Sequence, residues 1–238
     1  MKILAIDTST NILGIAIIDG EDCLIELSLN TGKTHSAYIL EGIDYALQLL
    51  GLHILDIDGF GVTNGPGSFT GLRIGLSTIK GLALASEKPV ATVSSLDALI
   101  YLIPPMNHLI CPLIDARKGQ VYYSLYCDQH DCNHGYQRRQ LCEIGVISPH
   151  LLSQHIQDSC LFIGSGAVLY KELLCESMGK NFLFVPNPLH IIRPSVIAKI
   201  ALEELTKHTH DNLSTIVPTY IRPPDAKSLR STELVFRS

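Results

Sequence analysis

Apolar residues alternate with polar ones or run together over short stretches in the first thirty positions, and break at polar or glycine-containing turns. This predicts strands at 2–7, 12–19 and 23–29. The short connections make them an antiparallel meander. The spacing then lengthens to a helical period across 34–50, shortens at 59–63, and lengthens again across 68–85 before a strand at 90–93. Three strands followed by alternating helix and strand predict an α/β layer built on a mixed sheet. From position 109 the order starts again, with strands at 109–115, 120–127 and 139–147, a helix at 149–156, a strand at 161–163, a helix ending near 178, a strand at 182–185 and a helix at 195–207. Repetition of order without repetition of sequence predicts two similar lobes, 1–103 and 104–218, with Pro104-Pro105 marking the break. Residues 219–238, with Pro223-Pro224 and scattered charge, read as an extended or disordered tail.

The two helices of the first half carry more apolar surface than one face needs. In the first, Ile39, Ile43, Ala46 and Leu50 form one stripe and Tyr38, Tyr45 and Leu49 a second. In the second, Leu72, Leu76, Ile79 and Ala83 form a stripe, while Gly71, Gly75, Ser77, Gly81 and Ala85 keep the remaining surface shallow. That would let another helix approach closer than the usual separation of about 8–10 Å. Such helices suit either a buried layer or a bundle with a second molecule, and the pattern alone leaves both open.

Composition narrows the classes. Of 238 residues 46% are hydrophobic and 17% charged, enough for proper cores with some apolar surface left for a partner. A formal charge of −5 argues against a dense Lys/Arg track for a phosphate backbone, so RNA would have to arrive with a basic partner. Seven cysteines, odd in number and scattered through apolar segments, read as reduced thiols. Asp7 ends the first apolar run before a secretory segment could form. Arg73 and Lys80 interrupt the longest apolar helix short of the roughly 18 residues a membrane span needs. The expectation is a cytoplasmic protein with no membrane contact.

Candidate chemistry gathers at turns. Gly65-Pro66-Gly67-Ser68-Phe69-Thr70-Gly71 joins a permissive turn to a helix start: Gly65 and Gly67 can take positive φ and Ser68 or Thr70 can cap, which suits an anion or simply a tight connection. A phosphate loop of the form G-x-x-x-x-G-K-[ST] is absent. Asp7-Thr8-Ser9-Thr10 and Asp115-Ala116-Arg117-Lys118-Gly119 carry acids, hydroxyls and N–H groups with which two lobes could hold phosphate and hydrated magnesium. The same residue types also make ordinary turns. Arg117 and Lys118 suit an anionic ligand or plain solvent, and Gly164-Ser165-Gly166 is a single glycine turn before a helix. Ser68 lacks the G-x-S-x-G elbow, and H-E-x-x-H is missing. His130 and His134, with Cys127 and Cys132, fall in a polar loop where a spacing of four does not align both rings, leaving surface decoration or a fortuitous Zn²⁺ site.

The runs ILAIDTST, GPGSFTGLRIG, PLIDARKGQVYYSLY and PTYIRPPDA, in this order over nearly the whole chain, resemble the bacterial TsaB (YeaZ) family. The resemblance implies a two-lobed actin-like ATPase/sugar-kinase (ASKHA, duplicated RNase H-like) fold with mixed sheets. It also implies a role in making threonylcarbamoyladenosine beside the tRNA anticodon, as a non-catalytic scaffold that stabilises and activates TsaD. In the sister TsaD family a V-H-H-x-E-G-H pattern binds metal; aligned through Pro-x-x-x-Val, this chain has Ser95 and Leu99 where those imidazoles would stand, so neither catalytic nor metal-binding residues are expected. The implied TsaD-docking surface, and homodimer face in its absence, comprises Tyr38, Tyr45, Leu49, Gly71, Gly75, Leu76 and Ile79. TsaE is the implied third component, and tRNA is met only through the complex. No cofactor is intrinsic, although ATP or ADP could lie at a lobe or complex interface near Asp7, Thr8, Ser9 and Asp115. An actin-like ATPase or small-metabolite kinase is the alternative, and a metal-dependent peptidase a disfavoured one.

Overall fold

The computed structural model describes residues 1–30, 35–131, 135–207 and 211–221; Cys132, His134 and all but the first three residues of the expected tail lie outside these. The first half runs β1 (Lys2–Asp7), β2 (Leu13–Asp19), β3 (Asp22–Leu29), α1 (Ile39–Leu50), β4 (Gly59–Gly65), α2 (Phe69–Ser86), β5 (Val90–Ser94) and α3 (Ser95–Ile100). The second runs β6 (Leu109–Arg117), β7 (Gln120–Tyr123), β8 (Tyr126–Asp131), β9 (Gly135–Gln140), β10 (Gly145–Ile147), α4 (Leu152–His155), β11 (Cys160–Ile163), α5 (Ser165–Leu169), α6 (Lys171–Met178), β12 (Phe182–Phe184) and α7 (Pro194–Thr206).

The strand orders are β3-β2-β1-β4-β5 and β10-β7-β6-β11-β12. In each sheet the meander half is antiparallel and the other half parallel. One topology used twice is the two-lobed actin-like architecture that the resemblance implied. β1 explains why the opening run is apolar at successive positions. Leu4 and Ile6 belong to a core with Ile43 of α1 and Leu76 and Ile79 of α2, whereas Ile3 and Ala5 belong to another with Leu96 of α3 and Ile197 and Ala201 of α7. A strand covered on both faces gains nothing from polar alternation.

α7 belongs to the second half of the sequence but lies on the first sheet. Its path is cleared by glycine: a Cβ added at Gly61 would stand 2.9 Å from the Ala201 Cβ, and one at Gly59 would stand 2.6 Å from Leu205 Cδ1. The same core takes in Ile110, Ile114 and Ile163 from the second sheet, so α3 and α7 join the lobes through one continuous apolar contact. α3, where the sequence pattern predicts no helix, follows β5 directly; Ser94 Oγ accepts from the Asp97 N–H at its start, and Leu96, Leu99 and Ile100 are buried. Residues 211–221 also return to the first lobe, where the Thr219 N–H donates to Asn64 O (2.8 Å) and the Tyr220 ring stacks on Phe69 at 4.3 Å.

Other boundaries differ for local reasons. The helix expected from 34 begins at Ile39 after a 3-10 turn, His35–Ala37. The 149–156 helix is a 3-10 turn followed by the four-residue α4, and the helix before 178 divides at Tyr170. The strand expected over 120–127 leaves its sheet after Tyr123, and β8 and β9 form an inserted hairpin. β9 is nearly all exposed, so apolar alternation could not reveal it. Polar contacts anchor the insertion: Arg138 Nε and Nη2 donate to the two Asp128 carboxylate oxygens, both at 2.8 Å, while Nη1 reaches Ile100 O (2.6 Å). Burial pushes the Asp128 carboxyl up, but hydrogen bonds from Arg138 and the Met106 N–H outweigh it and hold it below its ordinary value.

Candidate functional site

The turn after β1 is sealed by the helix that follows the glycine-rich segment. Ser68 caps α2 by accepting from the Gly71 N–H (3.2 Å), and its own N–H donates to Ser9 O at 2.7 Å. Gly65 uses its freedom in φ, at +119°. Gly67 does not; it is needed because a Cβ there would collide with the Ser9 carbonyl. One turn along, a Cβ at Gly71 would run into Thr8 O and one at Gly75 into Thr8 Oγ1, while that hydroxyl donates to Gly71 O at 2.8 Å. Gly71 and Gly75 of α2 therefore receive the chain's own turn, while Ser77, Gly81 and Ala85 stay exposed. Gly71, Gly75, Leu76 and Ile79, expected at a partner surface, are buried within the first lobe, which corrects that assignment.

Asp7 is 1% exposed and accepts from Thr63 Oγ1 (2.7 Å) and the Ser9 N–H (2.9 Å). Burial pushes its pKa above the ordinary 3.8, against the opposing effect of these donors. Of the four residues expected near a nucleotide, Asp7 and Thr8 lie behind the cleft wall; Ser9 and Asp115 line the cleft, which holds about 720 Å³ between the lobes.

The corresponding turn of the second lobe is open. A bulge between Asp115 and Arg117 precedes a two-residue turn, and Arg117 (φ +63°) and Lys118 (φ +52°) both adopt left-handed backbone. Asp115 accepts from the Arg117 N–H (2.8 Å), and Arg117 Nη2 crosses the cleft to Asn11 Oδ1 at 3.0 Å. On the far wall Gly164, with φ +105°, donates its N–H to His190 Nδ1 at 3.1 Å. That nitrogen therefore carries no proton, and Nε2–H donates to Val185 O (3.0 Å). Burial lowers the His190 pKa, consistent with a fixed neutral ring.

Another surface lies on the far side of α1. Tyr45 is 54% and Leu49 58% exposed, as is Leu40 at 61%; Tyr38 is half-buried against the core. On α2 the exposed line is Arg73, Ser77, Gly81 and Leu84, the last 74% exposed. Leu40 and Leu84 escaped the sequence reading, although their positions opposite the buried stripes could have revealed them. Among the described residues no three His, Cys, Asp or Glu side chains converge to hold a metal, and His130 instead meets the Tyr136 ring edge-on at 5.0 Å. Ser95 is fully buried, and Leu99 lines the cleft. No helix among the described residues is long and apolar enough to cross a membrane.

Comparison with known proteins gives consistent results. The family described as TsaD, tRNA N6-adenosine threonylcarbamoyltransferase, matches residues 29–231. The chain is 30% identical to the tRNA threonylcarbamoyladenosine biosynthesis protein TsaB of Bacillus subtilis, over 96% of this chain and 97% of that one. It is 31% identical to TsaB of Haemophilus influenzae, over 93% and 94%. YeaZ from Pseudomonas aeruginosa shares the fold, with a TM-score of 0.74 at 23% identity over 92% of this chain and 99% of that one. Identity of this extent along nearly the full length of both chains places the protein in the TsaB family of tRNA threonylcarbamoyladenosine biosynthesis proteins.

Proposed function

We propose that this chain serves tRNA threonylcarbamoyladenosine biosynthesis as a non-catalytic subunit that docks a TsaD-type partner, and so stabilises and activates it for threonylcarbamoyl transfer. The observation that carries this reading is the uncovered apolar surface on the first-lobe helices, where Leu40, Tyr45, Leu49 and Leu84 are all more than half exposed. Exposed apolar side chains at this density favour a protein partner over solvent. Ser95 and Leu99, at positions where the sister pattern calls for imidazoles, support assigning the metal and the chemistry to the partner. In this reading TsaE joins the same assembly, ATP or ADP lies at an interface between subunits, and a second copy of this chain covers the helices when TsaD is absent. tRNA arrives with the complex, in keeping with a net charge of −5.

The test is reconstituted threonylcarbamoylation with purified TsaD, TsaE and the adenylate-forming enzyme, with and without this chain. Activity should require it, and the Tyr45→Glu/Leu49→Glu pair should weaken capture of TsaD at least tenfold without changing the urea midpoint. Undiminished capture by that pair would reject the docking face. The actin-like ATPase or kinase alternative requires hydrolysis or transfer by the purified chain that Asp7→Ala abolishes; the buried Asp7, already bonded to Thr63 and Ser9, speaks against it.

A further inference from the structure

The surface around α2 does not end at the two helices. On one side of the first sheet α1 packs over β2 and β3 and α2 over β4 and β5, and β5 is the last strand. Residues 211–221 follow the outer edge of that strand as a strap. At its start the Asp211 N–H donates to Val90 O (2.9 Å), and Asp211 Oδ2 accepts from the Thr92 N–H (2.7 Å). In its middle Ile216, 6% exposed, enters the core that holds Ile43 of α1 and Leu76 of α2, so the strap lies on the same side of the sheet as both helices. At its end the Thr219 N–H donates to Asn64 O, and the Tyr220 ring lies within 8° of parallel to Phe69, the first residue of α2. The Tyr220 hydroxyl accepts from Arg73 Nε at 2.9 Å, and Arg73 belongs to the exposed line of α2. α2 therefore runs between α1 and the strap.

Although fixed at both ends and in the middle, the strap turns apolar surface outward: Val217 is 65% and Tyr220 41% exposed. Side chains on a backbone already held in place cost little further ordering when a partner covers them. Tyrosine and arginine, paired here as Tyr220 and Arg73, are also the residue types in which binding energy concentrates at interfaces. We propose that Val217 and Tyr220 form a third element of the docking site, so that the TsaD-type partner lies along α2 with α1 on one flank and the strap on the other. This inference rests on the docking reading and deepens it, because capture then depends on the returning C-terminal segment as well as on α1. The matching surface of the partner is apolar, with a hydrogen-bond acceptor facing Arg73.

The test measures capture of purified TsaD by the full chain carrying Val217→Asp and, separately, Tyr220→Ala. Each should weaken capture at least fivefold. Val217→Asp should leave the urea midpoint unchanged, since the side chain it replaces is mostly in solvent. A photo-cross-linking p-benzoylphenylalanine at position 217 should join the chain to TsaD, whereas the same residue at position 169, exposed on the second lobe, should not. If the Tyr45→Glu/Leu49→Glu pair weakens capture while Val217→Asp does not, the helices dock the partner and the strap is rejected. If neither set weakens it, the docking face itself falls and the strap with it. Cross-linking at 217 no stronger than at 169 would also overturn the proposal.

Discussion

The turn that follows β1 and the turn that follows β6 occupy the same place in the two copies of one topology, yet they have opposite characters. At the first, Asp7, Thr8 and Ser9 are each 1% exposed or less, and three glycines let α2 close over them. At the second, the Asp115 side chain is 20% and the Arg117 side chain 69% exposed, and space rather than packing surrounds Gly119. Both turns border the cleft, but the first is packed beneath α2 with Asp7 and Thr8 behind the wall, whereas the second stands open.

The largest expected effect tests that asymmetry directly. Gly71→Ala puts a methyl into the Thr8 carbonyl, and backbone cannot rotate away as a side-chain tip can, so a loss of about 3 kcal/mol is expected. Gly119→Ala in the second turn meets nothing within 4 Å and suffers only from its φ of +73°, a loss of about 1 kcal/mol. Urea unfolding of both variants gives the comparison. Equal losses would mean that the first turn is no more closely sealed than the second.

A smaller effect, opposite in sign, is expected at Asp7. Its folded pKa is raised by burial, so the folded state holds a proton more tightly than the unfolded state. Stability from this group is full below about 3.8, the unfolded value, and is lost as pH rises through the folded value. Asp7→Asn keeps an oxygen for Thr63 and Ser9 but removes the buried charge. It should therefore unfold at higher urea than wild type at pH 7, with the advantage shrinking toward pH 4. A less stable variant at pH 7 would show that the carboxylate has a compensating cation.

How much of this was legible beforehand follows from what each signal measures. β1 to β3 were placed within one residue because their apolar runs are long and their turns polar. Gly71 and Gly75 of α2 meet Thr8 rather than a partner, while Gly81 stays open: small residues report that something approaches closely, and sequence does not say whether it is the same chain or another molecule. The return of α7 to the first sheet, cleared by Gly59 and Gly61, depends on contacts more than a hundred residues apart. Ser9 and Asp115 were legible as cleft residues, whereas burial of Asp7 beneath α2 was not, since the same Asp-Thr-Ser turn serves an open or a closed site.

The finest test lies at Arg117, where three small terms compete. Left-handed backbone at a non-glycine residue costs about 1 kcal/mol, which Arg117→Gly would relieve. Glycine returns roughly 0.5–1 kcal/mol of this through the greater freedom of the unfolded chain. Loss of the Asp115 contact, mostly exposed on the Arg117 side, removes between 0 and about 1 kcal/mol more. The net change in stability should lie within about 1 kcal/mol of zero, although the bond to Asn11 that ties the two turns across the cleft is gone. Hydrogen exchange at the turn between β1 and β2 should then quicken while the global urea midpoint stays nearly fixed. If the midpoint falls well beyond that range, Arg117 supports the fold itself, and the open turn is no less structural than the sealed one.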